Sequence, residues 1–120
     1  MGTPQFMSPE QVRDEEVGPG SDIFSFGILL YLMTTRSFPF AGKNIAAIIH
    51  KLIECEYPRP QLINPDIPEL MDNLIVKCLQ KDRNDRYNSV KEIQMVLEKI
   101  LEDQNVTNPE GLIQDFIGGQ

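Results

Sequence analysis

The sequence is poor in the residues that build metal centres and disulfide frameworks. It has one histidine, His50, and two cysteines, Cys55 and Cys78, which do not form a C-x-x-C pair. A zinc site needs several closely spaced Cys or His ligands, and a disulfide-rich fold needs more cysteines. We therefore expect no metal site, an ordinary surface or boundary role for His50, and two unpaired thiols in an intracellular, cytoplasmic setting.

Basic residues and long apolar runs are also scarce. The chain carries 11 Lys and Arg against 18 Asp and Glu, a net charge of -7. A negative chain lacks the basic face that nucleic acids attract, and anionic membranes do not favour it. The longest apolar run, residues 23–33, is shorter than the ~20 residues that span a bilayer. The sequence therefore predicts neither a nucleic-acid partner nor a membrane partner.

The apolar run instead predicts a central helix over residues 22–35, with Ser21 or Asp22 as its N-cap. Its apolar residues occupy nearly every side, which is typical of a helix in the middle of a domain. A strand is the rival interpretation, since the run is rich in β-branched and aromatic residues, but it is long for a strand.

Further helix signals flank this segment. They are a capping box from Ser8 to Gln11 with Pro9 at the first helical position, amphipathic stretches over 43–55 and 68–79, and a second capping box from Ser89 to Glu92 that opens a helix to about Leu101. Residues 56–68 hold four prolines and are expected to be extended or turning. The predicted fold is all-α without a sheet.

Three stretches, in order, resemble the C-terminal lobe of eukaryotic protein kinases. GTPQFMSPE (2–10) is similar to the substrate-binding loop that closes with A-P-E. SDIFSFG (21–27) is similar to the start of the central buried helix, and KDRNDR (81–86) to the loop before the last helix. The resemblance covers residues 1–101 and implies the lower part of that lobe, followed by a polar tail over 102–120 with room for one short helix.

Finer features point to a subgroup. The G-T-P start resembles a serine/threonine kinase more than a tyrosine kinase. The stretches MSPEQ (7–11), PF (39–40), GKN (42–44) and CEYP (55–58) are similar to the never-in-mitosis-A-related subfamily. Phe24 and Phe6 stand where the family often has Trp and Tyr, and both keep the apolar bulk.

The resemblance also implies roles for individual residues. Glu10 would pair with Arg86 and tie the substrate loop to the base of the lobe; without the resemblance, two solvated charges is the plainer interpretation. Asp22 would accept backbone N–H groups of the catalytic loop, or serve as an N-cap. Gly27 would allow close helix packing. The substrate loop would comprise Gly2, Thr3 and Pro4, with Thr3 beside the catalytic aspartate, where it helps to hold the substrate hydroxyl.

The motifs that perform phosphoryl transfer are absent from these 120 residues. There is no G-x-G-x-x-G loop, no strand lysine, no H-R-D and no D-F-G. We therefore expect no catalytic residue and no cofactor or metal ligand in this chain, whereas a parent kinase domain would bind ATP and magnesium.

Two hypotheses remain for the chain. It is a catalytically inactive part of a serine/threonine kinase domain, without the N-terminal lobe and catalytic loop, or a stand-alone helical interaction module derived from one. With few other helices to cover the central one, we expect an exposed apolar face around Phe24, Ile28 and Tyr31, which the missing kinase portion or a protein partner would cover.

Overall fold

The computed structural model describes residues 4–103, and the regular elements of this part of the chain are helices joined by loops and turns. Its α-helices are α1 Pro9–Val12, α2 Pro19–Thr35, α3 Ile45–Glu54, α4 Pro60–Ile63, α5 Glu69–Cys78 and α6 Val90–Asp103, with 3-10 turns at Pro4–Phe6 and Arg83–Asp85. No strand occurs within the described range. The predicted all-α fold class is confirmed. The predicted helix in the tail lies outside the described residues.

The central helix α2 begins earlier than the sequence predicted. Its N-cap is Gly18, in extended conformation, and Pro19 occupies the first helical position. Proline fits there because its fixed φ is helical and its missing N–H has no intrahelical partner in any case. The prediction of Ser21 or Asp22 as the cap is therefore wrong, and both residues belong to the first turn. The helix ends as expected at Thr35, where Arg36 adopts a left-handed conformation with φ of 62°.

One side of α2 forms the centre of the core. Phe24, Ile28 and Tyr31 are each 0% exposed, so the predicted apolar face around them is wrong. Aromatic rings cover this side: Phe40 stacks on Phe24 at 5.8 Å between centroids, and Tyr57 meets Tyr31 edge-on at 5.9 Å.

The opposite side of α2 is the one left open. Leu29 and Met33 are 38% and 48% exposed, and Asp22 is also exposed. These residues share one face of the helix, because Leu29 and Met33 follow Asp22 by seven and eleven residues, which is close to two and three helical turns. Half-buried Phe26 lies on the same face. We call Asp22, Phe26, Leu29 and Met33 the open face of α2.

Helix α5 packs against α2 at Gly27. A Cβ atom on Gly27 would lie 2.5 Å from the Cβ of Cys78 and 3.1 Å from a methyl carbon of Leu79. Both distances are below ordinary carbon contact, so the two helices approach more closely than any larger residue allows. Four apolar residues of the predicted 68–79 stripe are buried in this contact region: Leu74, Ile75, Cys78 and Leu79.

The outer helices differ from their predictions in detail. Helix α3 is capped by the side chain of Asn44 and starts at Ile45, two residues later than the predicted stretch, and Ile45 is 62% exposed. The proline-rich stretch, which was predicted to be extended or turning, contains the single-turn α4. In α6, Val90 next to the capping box is 47% exposed.

The second capping box is formed in part. The N–H of Glu92 donates to Ser89 Oγ at 3.3 Å, but the Glu92 carboxylate accepts from the N–H of Asn88 instead of that of Ser89. Among residues 4–103, no helix has the length and apolar character needed to cross a membrane.

Gly27→Ala is expected to lower the free energy of unfolding by about 1–3 kcal/mol, because the added methyl overpacks the contact with α5. The better helix propensity of alanine, worth ~1 kcal/mol, offsets part of this cost. Urea denaturation followed by circular dichroism measures the change. In Gly18→Ala, where an added Cβ meets nothing within 4 Å, we expect a smaller loss. Equal losses in the two variants would contradict the close-contact explanation.

Candidate functional site

The segment after Pro4 is fixed by local hydrogen bonds that its sequence dictates. The N–H of Gln11 donates to Ser8 Oγ at 3.3 Å, and Gln11 Oε1 accepts the N–H of Ser8 at 2.7 Å. This is the predicted reciprocal capping box, and it is confirmed. The 3-10 turn Pro4–Phe6 precedes it. Gly2 and Thr3, the other predicted substrate-loop residues, lie outside the described range.

The structure brings Glu10 and Arg86 together as a buried pair. Arg86 Nη1 lies 2.7 Å from Glu10 Oε2, and Nη2 lies 3.0 Å from Oε1, which is a bidentate arrangement. Glu10 is 5% exposed and Arg86 is 3% exposed. Such a pair must be well hydrogen-bonded, since both charges have left water.

Arg86 uses every donor that a guanidinium has. Besides the two bonds to Glu10, its Nε donates to Gln80 O at 2.7 Å, Nη1 to Gly20 O at 2.9 Å and Nη2 to Lys81 O at 3.1 Å. An arginine offers five N–H donors in a planar fork, and all are satisfied here. The side chain therefore joins α1, the start of α2 and the segment before α6.

Two further contacts complete the environment of the pair. Ser21 Oγ donates to Glu10 Oε2 at 2.7 Å. The guanidinium carbon of Arg86 lies 4.7 Å from the centroid of the Phe24 ring, in cation–π range. Phe24 keeps this contact at the position where the family resemblance expects a larger aromatic residue.

The hydrogen bonds determine the charge state of Glu10. Burial by itself raises the pKa of a carboxyl group, but the bonds from Arg86 and Ser21 outweigh it and lower the pKa of Glu10 from 4.5 to about 2. Glu10 is thus an anion at neutral pH, as a bidentate partner of arginine has to be.

Other predicted residues lie apart from this pair. Gly27 is at the contact between α2 and α5, as described above. Asp22 is exposed in the first turn of α2 and starts the open face. His50 is exposed, as predicted. Cys78 is buried and Cys55 is half-buried, and both are free thiols.

A second ion pair was missed by the sequence reasoning. Asp72 is 1% exposed and accepts from Arg59 Nε at 2.9 Å and from the N–H of Gln61 at 3.0 Å. It thereby holds the first turn of α4 against α5. The sequence did contain a signal for the burial of Asp72, because helical spacing places it on the same face as the apolar residues Ile75 and Leu79.

A hydrogen bond from α2 to the Pro4–Phe6 turn was also missed. Ser25 Oγ donates to the backbone carbonyl of Phe6 at 2.8 Å. The Phe6 ring meets the ring of Phe38 edge-on at 5.3 Å. Both contacts attach the turn to α2 and to the segment that follows it.

Beside the Glu10–Arg86 pair lies an open cleft of about 540 Å³ whose walls carry charges of both signs: Glu10, Arg13, Glu15, Gln80, Lys81, Asp82, Arg83 and Asp85. Arg83, one of these residues, donates to the backbone carbonyl of Glu16. Within residues 4–103, no group of three or more His, Cys, Asp or Glu side chains is placed to hold a metal ion. The cleft therefore offers no defined ligand chemistry.

The comparison with protein families decides the class. The model of the protein kinase domain matches residues 1–101. The chain belongs to the protein kinase domain family. The geometry agrees with this assignment, since Glu10 and Arg86 come from two of the three stretches that carry the resemblance.

Individual kinases support the serine/threonine level of the assignment. A probable serine/threonine-protein kinase of Clostridium perfringens is 39% identical over 107 residues, which are 89% of this chain and 16% of that protein. One of Streptomyces coelicolor is 37% identical over 106 residues, 88% of this chain and 16% of that protein. These matches are bacterial, and they support neither the eukaryotic assignment nor the never-in-mitosis-A-related subgroup.

A solved kinase structure supports the fold. The twitchin kinase region of C. elegans matches with a TM-score of 0.69 and 28% identity, over 78% of this chain and 16% of that chain. The chain thus spans about a sixth of the length of the two curated relatives and of this structure. The predicted resemblance to serine/threonine kinases and the predicted fold of a C-terminal kinase lobe are confirmed.

The energetic coupling of Glu10 and Arg86 can be measured with a double-mutant cycle. We expect each alanine variant to lose about 3–5 kcal/mol of unfolding free energy, because it leaves the other charge buried and unpaired. The double variant should lose much less than the sum. The matched control is the exposed Arg13–Glu15 pair at 4.0 Å, with an expected coupling below about 1 kcal/mol. Equal couplings in the two cycles would contradict the buried-pair description.

The lowered pKa of Glu10 predicts a defined acid sensitivity. A carboxyl group with a lowered folded pKa adds stability above its unfolded pKa of 4.5, and this stability is lost as the pH falls towards about 2. The difference in unfolding free energy between the natural chain and Glu10→Gln should therefore shrink over that window. Urea denaturation at successive pH values measures it. A difference that stays constant down to pH 2 would show that Glu10 titrates as an ordinary carboxyl.

Proposed function

We propose that this chain is the substrate-loop and helical base of a serine/threonine protein kinase whose complete polypeptide transfers the γ-phosphate of ATP to protein serine or threonine hydroxyls. The observation that carries the proposal is the buried Glu10–Arg86 pair. It ties the segment in which the substrate loop ends to the loop before the last helix. Phosphoryl transfer depends on accurate positioning of the acceptor, which a rigid support for that loop provides.

Roles within the site follow from the family resemblance. Gly2, Thr3 and Pro4 belong to the loop that receives the substrate, and Thr3 helps to hold the acceptor hydroxyl. Asp22 accepts backbone N–H groups of the catalytic loop. Its exposed position at the start of the open face supports this role, because the carboxylate is accessible to a segment outside the described residues.

ATP and magnesium belong to the complete polypeptide in this proposal. The described residues do not fit either ligand, since no acidic cluster is placed for a metal ion, and the sequence has no glycine-rich phosphate loop. We therefore propose that residues 1–120 have no catalytic activity by themselves. Residues 1–101 form the kinase-domain part and 102–120 a tail, although α6 continues to Asp103.

The partner of the open face follows from its composition. Leu29 and Met33 present apolar surface beside the carboxylate of Asp22. We propose that the upstream portion of the kinase domain, including its catalytic loop, covers this face. The alternative function, an interaction module, is favoured by the same apolar residues and would place a separate protein there.

The finer assignments rest on the sequence. The free thiols Cys55 and Cys78 support a reducing, intracellular and cytoplasmic location. The stretches MSPEQ and CEYP support a eukaryotic kinase of the never-in-mitosis-A-related subgroup. A phylogenetic placement of the complete kinase domain tests that subgroup.

A phosphotransfer assay with radiolabelled ATP and a mixture of serine and threonine peptides tests the proposal. The complete polypeptide should transfer phosphate, and the 120-residue chain should not. In the complete polypeptide, Thr3→Ala should lower kcat about 10-fold or more, because a transition-state hydrogen bond is lost. Thr3→Ser keeps the hydroxyl and should retain most activity. A complete polypeptide without transfer would overturn the proposal in favour of the interaction module.

A further inference from the structure

The core of the described residues is closed by side chains of this chain alone. Buried apolar residues from α2, α3, α5 and α6 form one continuous cluster. Each of these helices contributes a side chain that is 0% exposed, namely Phe24, Leu52, Ile75 and Ile93. Phe40, from the segment between α2 and α3, is equally buried. The side of α2 that bears Phe24 therefore needs no other polypeptide to exclude water from it.

The buried charges are also satisfied by partners within the described residues. Arg86 places all of its N–H donors on its carboxylate partner and on backbone carbonyls. Asp72 accepts from Arg59 and from the N–H of Gln61. A buried charge that waited for a partner on another polypeptide would be strongly destabilising until that partner bound. No buried side-chain nitrogen or oxygen in the described part of the chain lacks a hydrogen-bond partner.

The open face of α2 is a narrow exception to this closure. Leu29 and Met33 are 38% and 48% exposed, whereas Leu30 and Tyr31, which lie between them in sequence, are 0% exposed. On another side, α2 is held by α5 through the close approach at Gly27. The exposed stripe is thus available for contact, but it is not needed to keep α2 in place.

We infer that residues 4–103 are an autonomous folding unit, which completes its core and pairs its buried charges before it contacts the upstream portion of the kinase domain. The open face is then a preformed surface on which that portion docks with little change in the helices. The identity of the docking portion rests on the proposed function, whereas the autonomous folding rests only on contacts within this chain. The competing mechanism is coupled folding, in which the helices order only when the partner binds.

The first test follows the unfolding of the 120-residue chain in urea by circular dichroism. The near-ultraviolet signal reports fixed aromatic rings, with Tyr31 in the core and Tyr57 packed against it, and the far-ultraviolet signal reports the helices. We expect one cooperative transition with the same midpoint in both signals. Helical signal without a near-ultraviolet signal, or a gradual transition, would overturn the inference.

Two substitutions on different sides of α2 locate the surface. Met33→Gln makes the open face polar at nearly constant helix propensity, and Ile28→Ala removes apolar volume from the core. In the 120-residue chain, we expect the melting temperature to change by less than about 3 °C in Met33→Gln and to fall by roughly 8 °C or more in Ile28→Ala. Equal falls would show that the open face belongs to the core of this chain, and would overturn the inference.

The same face is then tested in the complete polypeptide. Met33→Gln should lower its melting temperature there, because the docked portion buries the polar amide. Met33→Leu keeps the face apolar and should leave the melting temperature nearly unchanged. A complete polypeptide that tolerates Met33→Gln as well as Met33→Leu would overturn the docking of the upstream portion on this face.

A phosphotransfer assay on the complete polypeptide separates this inference from the proposed function. Transfer by the complete polypeptide, together with a 120-residue chain that does not unfold cooperatively, would overturn autonomous folding and support the proposed function. A complete polypeptide without transfer, together with a cooperative transition in the 120-residue chain, would overturn the proposed function and support autonomous folding.

Discussion

The arrangement of this helical fold depends on one desolvated ion pair. Arg86 holds Glu10 bidentately and spends its other donors on backbone carbonyls of the α2 start and of the segment before α6. A buried pair of this kind adds little net stability over an apolar replacement, because both ions have been taken out of water. The pair instead fixes orientation, since the planar guanidinium group can donate to its partners in only a few geometries. The path of α1, and of the loop before it, is therefore fixed relative to the helical base.

Around this pair, polar side chains attach the short segments at the edge of the core to the longer helices. Asp72 fixes the single turn of α4 to α5, and Ser25 attaches the Pro4–Phe6 turn to α2. Every buried side-chain nitrogen and oxygen within the described residues has a hydrogen-bond partner. The irregular segments are thus held by directed hydrogen bonds, which restrict each of them to one conformation.

The sequence predicted the features that arise from local spacing. The Ser8–Gln11 capping box, the end of α2 and the existence of the longer helices follow from neighbouring residues. Glu10 and Arg86 are 76 residues apart, a separation without periodic signal, so only the family resemblance suggested their contact. The open face of α2 was placed on the wrong side for a related reason: Leu29 and Met33 are as apolar as buried Leu30. Hydropathy alone cannot distinguish a face buried by this chain from one that is left uncovered.

The separation of Glu10 from Arg86 also bears on the order in which the chain folds. Bringing two residues together across so long a segment costs conformational entropy before the contact can form. Helix turns and the contact between α5 and α6, in contrast, form between residues that are near in sequence. We therefore expect the pair to form in the last stage of folding, after the helices that present its two ends have docked. An interaction that forms after the folding transition state affects mainly the unfolding rate. We therefore expect the pair to lengthen the lifetime of the native state rather than to speed folding.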